Sequence, residues 1–301
     1  MYNIILKIPT ILMLVAPILI TAIAGMICER SGVVNIALEG LMVIGAFVTA
    51  IVHYYCEFIL GPVSPWLALL CGALAGMLFS LVHAYPSISM NSDQVISGTG
   101  INLISVGLAM FVSQLLFRET QTKEFRLGLM PGIGGVYPTT FIALAVVLLA
   151  WYILYKRPAG LHLRACGENP QAAAVAGLNV KKIRYIAVMT SGFLSGLAGG
   201  SLLLTANTQF TGTTVNGHGF IALAVVSFGR WSPLGVTLTS ILFGSTLTFS
   251  IIANDFPIFR SVPSDMFNIL PYLITLLALV IFSGKNHAPK SLGLPYETES
   301  S

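Results

Sequence analysis

Residues 8–27 read IPTILMLVAPILITAIAGMI, and this run contains no charged side chain. A helix rises about 1.5 Å per residue, so a run of this length can cross about 30 Å of hydrocarbon. Comparable apolar runs follow along nearly the whole chain, and they predict eight membrane-spanning helices. The clearest are Ile8–Ile27, Ile36–Leu60, Trp66–Tyr85, Val95–Phe117, Thr139–Tyr155, Tyr185–Ala206, Pro233–Ala253 and Phe267–Ser283.

Two further stretches widen the predicted number of transmembrane helices to between eight and ten. Gly219–Gly229 falls short of the hydrocarbon thickness, so it is either extended by its flanks or re-entrant. Cys28–Leu60 is long enough to contain a broken helix or an additional short segment. We therefore predict an all-α polytopic integral membrane protein, with residues 1–301 forming a single transmembrane domain.

The composition supports a membrane location. Only 9% of the 301 residues are charged and 55% are hydrophobic, whereas soluble domains carry about 25% charged residues. The formal charge of +4 does not indicate nucleic-acid binding, because the cations cluster between apolar runs, where the positive-inside rule accounts for them. The four cysteines have no CxxC spacing, which argues against a zinc site and a disulfide framework.

The longest polar break is RPAGLHLRACGENPQAAAVAGLNVKKIR at residues 157–184. Together with Lys156 it holds six of the fifteen Lys and Arg residues, which predicts a cytoplasmic loop over residues 156–184. Counting Gly219–Gly229 as a crossing also places Arg230 and a tail over residues 285–301 in the cytosol. It places residues 118–137 outside, and the N-terminus too unless the chain contains a hidden span.

A short helix is predicted inside this loop. Asn169 is a favourable N-cap, Pro170 suits the first helical position and Gly177 can end the helix. Its alanines present little bulk, so the segment can fit a groove on a partner protein, with Ala173 expected on the docking face and Glu168 at the rim. The spacing favours equally an ordinary surface helix that joins two spans.

Polar residues inside apolar runs are candidates for a substrate pathway, because they are costly at membrane depth. Asn35 and Glu39 are four residues apart, which predicts one helical face that could hydrogen-bond a ribose or the edge of a base. The alternative for Glu39 is pairing with Arg30 or capping a packed helix.

A second candidate pathway face comprises Gln94, Gly98 and Asn102, which recur at helical spacing. Hydrogen bonding between helices explains the same pattern without a substrate. Phe220 can stack on a base or anchor the chain at the membrane interface. Small residues also repeat at helical spacing in two stripes, which predicts close helix packing within the chain or between subunits. The stripes are Gly72, Gly76, Ser80 and Gly192, Gly196, Gly200.

The sequence contains no motif for covalent chemistry. Gly284-Lys285-Asn286 lacks the upstream glycine and the hydroxyl residue of a phosphate-binding loop, so any ATP hydrolysis must come from another subunit. There is no G-x-S-x-G elbow, no H-E-x-x-H helix and no carboxylate pair. We therefore predict no catalytic residues, no metal site and no enzymatic activity.

Several motifs resemble the permease subunits of ATP-binding-cassette (ABC) importers. Their coupling loop carries Glu-Ala-Ala and, three residues later, Gly; this chain has Gln171-Ala172-Ala173 and then Gly177, with Gln in place of Glu. GENPQAAAVAGLNVKKIRYIAVMTSGFLSGLAG at residues 167–199 and ERSGVVNIALEGLMVIGAF at Glu29–Phe47 are similar to the branch that serves nucleosides and simple sugars, which is related to ribose and branched-chain amino-acid permeases.

Three more stretches extend this resemblance over nearly the whole chain. They are NSDQVISGTGINLI at Asn91–Ile104, GHGFIALAVVSFGRWSPLG at Gly217–Gly235 and APKSLGLPYE at Ala288–Glu297. The resemblance implies a permease domain in the cell membrane whose coupling segment comprises Glu168, Asn169, Pro170, Gln171, Ala172, Ala173 and Gly177. The candidate pathway residues are Asn35, Glu39, Gln94, Asn102 and Phe220.

The resemblance also implies a set of partners. These are a cytosolic ABC ATPase, a second permease subunit that is related or identical, an extracytoplasmic substrate-binding protein and the lipid bilayer. ATP and Mg would be used by the ATPase, and this chain would bind no cofactor. Nucleosides are the expected cargo. The alternatives are ribose or another simple sugar, or an ion-coupled secondary transporter, for which few intramembrane ionisable residues are present.

Overall fold

The computed structural model describes residues 7–132 and 134–253, and further on residues 264–267, 269–270, 273–274, 276–277, 280 and 287–296. No strand occurs among them. The helices are α1 Ile8–Glu29, α2 Leu38–Leu60, α3 Ser64–Phe79, α4 Leu81–Ala84, α5 Gln94–Phe117, α6 Pro138–Lys156, α7 Pro158–Glu168, α8 Pro170–Val175, α9 Val180–Ala206, α10 His218–Phe228, α11 Pro233–Ile252 and α12 Ser264–Phe267.

Six continuous helical segments in this part of the chain are long and apolar enough to cross a membrane. They are Ile8–Glu29, Leu38–Ser89, Gln94–Phe117, Pro138–Lys156, Val180–Ala206 and Pro233–Ile252. The 52-residue segment Leu38–Ser89 folds back on itself at Gly61, whose φ is +51°, and the Thr49 hydroxyl of α2 donates to the Ala68 carbonyl of α3 at 3.2 Å. It therefore contributes two antiparallel helices.

Most of the predicted apolar runs coincide with observed helices, because run length in a membrane protein is set by the bilayer. The predicted run Gly219–Gly229 is the eleven-residue helix α10. The predicted span Phe267–Ser283 lies largely outside the described residues, as do Lys285 and the tail beyond Tyr296.

The two stripes of small residues pack against each other inside the chain, which confirms the intramolecular interpretation. A Cβ on Gly196 of α9 would lie 2.5 Å from the Gly72 carbonyl oxygen of α3, and a Cβ on Gly192 would lie 2.5 Å from the Ser80 Cβ. A Cβ on Gly45 of α2 would collide with the backbone of Gly196. Helices α2, α3 and α9 therefore form a tightly packed unit, as small residues allow in membranes.

Helix α1 lies at the centre of the protein, with α9, α11, α10 and α6 packed around it. Ile18, Ile20 and Ile23 on this helix are fully buried. The N-terminal apolar run is therefore a core helix. Its burial on all sides leaves it with little amphipathic character.

Two irregular segments interrupt the helices, and the first is mostly buried whereas the second is only partly buried. Residues 30–37 separate α1 from α2, so the long run from Cys28 to Leu60 does contain a break; Gly32 permits it with φ +92°. Residues 207–217 precede α10 and end at Gly217, whose φ is +85°. Irregular backbone needs hydrogen-bond partners from the protein when water is excluded.

Contacts between loops show which loops share an end of the helical bundle. At one end, Arg30 donates to the Trp231 carbonyl at 2.7 Å, and the Ser291 amide donates to the Gly167 carbonyl at 2.9 Å. At the other end, the Phe125 amide of the α5–α6 loop donates to the Thr208 carbonyl at 2.8 Å. The basic 156–184 loop, the α10–α11 turn and the described tail residues therefore share one end.

Candidate functional site

The polar loop contains the short helix that its capping residues predicted. The Asn169 side chain accepts a hydrogen bond from the Ala172 amide at 2.9 Å, and Pro170 occupies the first turn. After the helix, Gly177 adopts φ +86° and the Leu178 amide donates to the Ala173 carbonyl at 3.0 Å. These are the N-cap and the glycine C-terminal motif of a one-and-a-half-turn helix. Sequence analysis missed the longer helix α7 immediately before it.

Helix α8 has an inner and an outer face. Ala173 is 4% exposed and packs with Cys166 and Val180. The prediction that Ala173 lies on a docking face is therefore wrong, because the helix needs an apolar inner face to attach to the rest of the loop. The outer face comprises Gln171, Ala172, Val175 and Ala176, with Glu168, Asn169 and Gly177 also exposed, and Val175 is 91% exposed.

The described C-terminal segment, residues 287–296, attaches the loop to the end of α1. The Gly293 amide donates to the Gly32 carbonyl at 3.0 Å, and the Ser291 hydroxyl donates to the Glu168 carbonyl at 3.3 Å. Tyr296 packs with the apolar residues under α8. A Cβ on Gly167 would collide with the Arg30 carbonyl, so α7 and the α1 end approach each other closely.

Arg184 lies at the centre of this junction. It is 1% exposed, its Nε donates to the Ser31 carbonyl at 3.2 Å, and its Nη1 donates to the Leu294 carbonyl at 3.3 Å. The sequence predicted only another cytoplasmic loop cation, because nothing local distinguishes Arg184 from Lys181 or Lys182. Its guanidinium instead ties together α9, the end of α1 and the C-terminal segment.

Burial shifts the pKa values of Arg30 and Cys166 at this junction. Burial lowers the pKa of Arg30 from its ordinary value, although its guanidinium holds the Trp231 carbonyl through both Nε and Nη2. Burial also raises the pKa of the Cys166 thiol, with Arg184 acting weakly in the opposite direction. Cys166 therefore stays a neutral packing residue at physiological pH.

The Glu39 carboxylate joins α2 to α10. Its Oε1 accepts from the Gly217 amide and its Oε2 accepts from the Gly219 amide, each at 2.7 Å. A Cβ on Gly219 would lie 2.5 Å from the Glu39 backbone, so only glycine allows this approach. The carboxylate satisfies free amides at the N-terminus of α10, where negative charge is favourable. Of the alternatives for Glu39, capping of a packed helix is the one observed.

Asn35 and Glu39 do not share a helical face, and this part of the prediction is wrong. Helix α2 begins at Leu38, so Asn35 belongs to the irregular 30–37 segment. Asn35 is fully buried and its Nδ2 donates to the Ser191 hydroxyl at 2.8 Å. Its Oδ1 has no hydrogen-bond partner among the described residues.

Gln94, Gly98 and Asn102 do share one face of α5, and this face packs on residues 34–40. Gln94 Oε1 accepts from the Val34 amide at 2.7 Å; Asn102 accepts from the Gly40 amide at 2.8 Å and donates to the Ile36 carbonyl at 2.9 Å. The side chains of Gln94 and Asn102 thus satisfy backbone groups of the irregular segment and of the first turn of α2, as hydrogen bonding within the membrane requires.

The remaining candidate, Phe220, is 50% exposed and lies in the first turn of α10. His218 precedes it, and its Nδ1 contacts the Val215 carbonyl. The structure therefore brings Glu39 and the start of α10 together and attaches Gln94 and Asn102 to the neighbouring backbone. Among the described residues, no three His, Cys, Asp or Glu side chains lie close enough to hold a metal ion.

Comparison with known proteins relates nearly the whole chain to membrane permeases. The family model described as "Branched-chain amino acid transport system / permease component" matches residues 8–279. The guanosine ABC transporter permease protein NupQ of Bacillus subtilis is 42% identical over 304 residues, which cover 96% of this chain and 95% of that protein. The nucleoside ABC transporter permease protein NupC of Lactococcus lactis is 37% identical and covers 93% of each chain.

A relative with another cargo in its name is more distant. The putative glucose ABC transporter permease protein TsgC13 of Haloferax volcanii is 32% identical over 244 residues, which cover 75% of this chain and 71% of that protein. No solved structure matches the chain.

Proposed function

The chain belongs to the family of branched-chain amino acid transport system permease components, and on this premise we propose that it is the permease subunit of an ABC importer for nucleosides. It is a multi-pass protein of the cell membrane and a transport subunit rather than an enzyme. The observation that carries the cargo assignment is the identity of 42% and 37%, over almost the full length, to permeases named for guanosine and for nucleosides.

The coupling segment of this importer is the loop of α7 and α8. Its ATPase would contact the outer face of α8 through Gln171, Ala172 and Val175. All three are exposed; Ala172 is small and Val175 is apolar. Ala173 would act indirectly by fixing α8 to the Cys166 and Val180 cluster. ATP and Mg would be consumed by that partner, which is consistent with the absence of a phosphate-binding loop in this sequence.

Two more protein partners complete the assembly: a second permease subunit, related or identical, and an extracytoplasmic binding protein that delivers cargo to the α5–α6 loop side. Residues 207–217 and α10 together form one of nine crossings, the predicted span Phe267–Ser283 being another. This count is supported by the contact of Trp231, just after α10, with Arg30 at the cytosolic end. The N-terminus then lies outside and the tail inside.

The pathway would include the α2–α10 junction. Glu39 fixes the start of α10, and Phe220, the residue after Gly219, has half of its surface free to meet cargo. Asn35 has a buried carbonyl oxygen that finds no partner among the described residues, and it lies close in sequence to the junction. Gln94 and Asn102 would shape this region by holding residues 34–40 in place.

The test is uptake of labelled uridine and adenosine by cells with and without the gene, in the presence of excess guanosine, ribose, glucose or leucine. The nucleoside assignment requires gene-dependent uptake that guanosine alone suppresses. Suppression by ribose or glucose would establish the sugar alternative, which the TsgC13 similarity favours as second candidate. Uptake that persists without ATP and collapses with the ion gradient would identify a secondary transporter.

A further inference from the structure

A groove of about 350 Å³ opens between α6 and α9 at the cytosolic end of the bundle. Its wall is mostly apolar, with Ile27, Ala150, Ile153, Leu163 and Ile186, and it also contains the polar residues His162 and Thr190. Both α6 and α9 pack on α1 rather than on each other, and α7 closes the groove at the cytosolic side. Such volumes are typical of sites for small apolar ligands.

The groove opens toward the bilayer. The groove-lining residues Ile153 of α6 and Ile186 of α9 are 45% and 53% exposed. On a membrane-spanning helix, exposed apolar side chains of this kind face hydrocarbon. An acyl chain of a neighbouring lipid therefore has direct access to the groove.

Cations border the groove where it meets the cytosol. Arg157 links the α6 wall at Leu154 to the α7 wall at Ala159, and Lys182 immediately precedes the wall residue Ile183. Both are exposed, and neither forms a salt bridge with a carboxylate among the described residues. The Arg157 guanidinium lies over the Tyr152 ring at 4.9 Å, and aromatic rings of this kind concentrate at the membrane interface.

We propose that this groove binds an anionic phospholipid, with an acyl chain between α6 and α9 and the phosphate between Arg157 and Lys182. Basic pockets between transmembrane helices on the cytoplasmic side recognise anionic head groups in this way. A second copy of this chain fits the groove less well, because it would bring the same loop cations to the same level of the membrane. The inference depends only on the membrane orientation and not on the identity of the cargo.

The test uses the complete permease–ATPase complex, delipidated and placed in nanodiscs that contain equal amounts of phosphatidylglycerol and phosphatidylcholine with identical acyl chains. Native mass spectrometry then counts the lipids that each complex retains. We expect one retained phosphatidylglycerol per copy of this chain. Each removed cation should weaken its binding roughly fivefold, and Arg157→Gln with Lys182→Gln about thirtyfold.

Two further variants separate the proposal from general charge or packing effects. Lys290→Gln removes an exposed cation of the C-terminal segment and should leave lipid retention unchanged. Thr190→Phe fills the groove and should release phosphatidylglycerol even though both cations remain. Equal retention of the two lipids, no effect of the double substitution, or an equal effect of Lys290→Gln would overturn the proposal.

A cysteine at Ile153 identifies any protein occupant. Cross-linking of Ile153→Cys to another polypeptide in native membranes would show that a protein covers the groove, and that result would also overturn the lipid assignment. Labelling of the same cysteine by a lipid-soluble maleimide, without a protein cross-link, supports it.

Discussion

Replacing Glu39 by Gln tests whether one carboxylate holds the start of α10 against α2. Glu39 is 8% exposed, and its two oxygens accept separate hydrogen bonds of 2.7 Å from Gly217 and Gly219. Gln keeps one acceptor oxygen and turns an amide donor toward the other N–H. A hydrogen bond to a charged group contributes about 1.5–3 kcal/mol, so we expect Glu39→Gln to lower the free energy of unfolding by about 2–3 kcal/mol.

Glu39→Ala should cost more than Glu39→Gln, because both amides are then left without a partner in a buried position. Gly219→Ala should reproduce the defect from the opposite side, since its Cβ would lie 2.5 Å from the Glu39 backbone. The measurement is denaturant and thermal unfolding of the purified complex, followed by nucleoside uptake at equal protein abundance. Both stability and uptake should decrease together.

Glu119→Gln is the matched control. Glu119 pairs with Lys123 at 2.5 Å on the exposed α5–α6 loop, where water and salt screen the interaction. The same chemical change there should leave the unfolding midpoint nearly unchanged. If the Glu39→Gln variant had the same unfolding midpoint as the Glu119→Gln variant and took up nucleosides normally, Glu39 would not be the residue that fixes α10. The pathway assigned to this junction would then lose its basis.

Three further predictions concern the coupling loop and the glycine contacts. Val175→Glu, on the outer face of α8, should abolish uptake while the protein accumulates normally, and the control Lys290→Gln should leave uptake intact. Normal uptake by the Val175→Glu variant would show that α8 does not contact the ATPase. Arg184→Met should lower the free energy of unfolding by about 2–4 kcal/mol, because the Ser31 and Leu294 carbonyls lose a buried donor. It should also increase trypsin cleavage of the C-terminal segment at Lys290. Unchanged cleavage there would contradict the role given to Arg184. Gly196→Ala should prevent accumulation of folded protein, whereas Gly100→Ala should be tolerated because the space around its Cβ is open. Equal abundance of the two variants would argue against the contact between α3 and α9.

Local signals in the sequence were sufficient for most of the long helices and for the capped helix α8, but not for α7. Asn169, Pro170 and Gly177 act through bonds to residues within a few positions, so the limits of α8 followed from residue type. The stripes at Gly72–Ser80 and Gly192–Gly200 also predicted close packing, although the sequence left open whether they meet each other or another subunit.

The orientation of polar side chains was not available from the sequence. Asn102 reaches Gly40, Glu39 reaches Gly219 and Arg184 reaches Leu294, over separations of 62, 180 and 110 residues. A pathway face and a face that satisfies a neighbouring backbone have the same composition. Which one is present depends on how each helix is rotated in the bundle.

The amino-acid sequence by itself determined the class of the protein and the location of most helices, and it predicted a cytosolic position for the basic loop, because hydrocarbon thickness and charge asymmetry act on continuous stretches of chain. Only the tertiary structure decided that Ala173 faces inward, that Asn35 lies outside α2 and that Glu39 caps α10. The physical reason is that every break in a helix within the membrane must find hydrogen-bond partners, and packing between distant segments selects them.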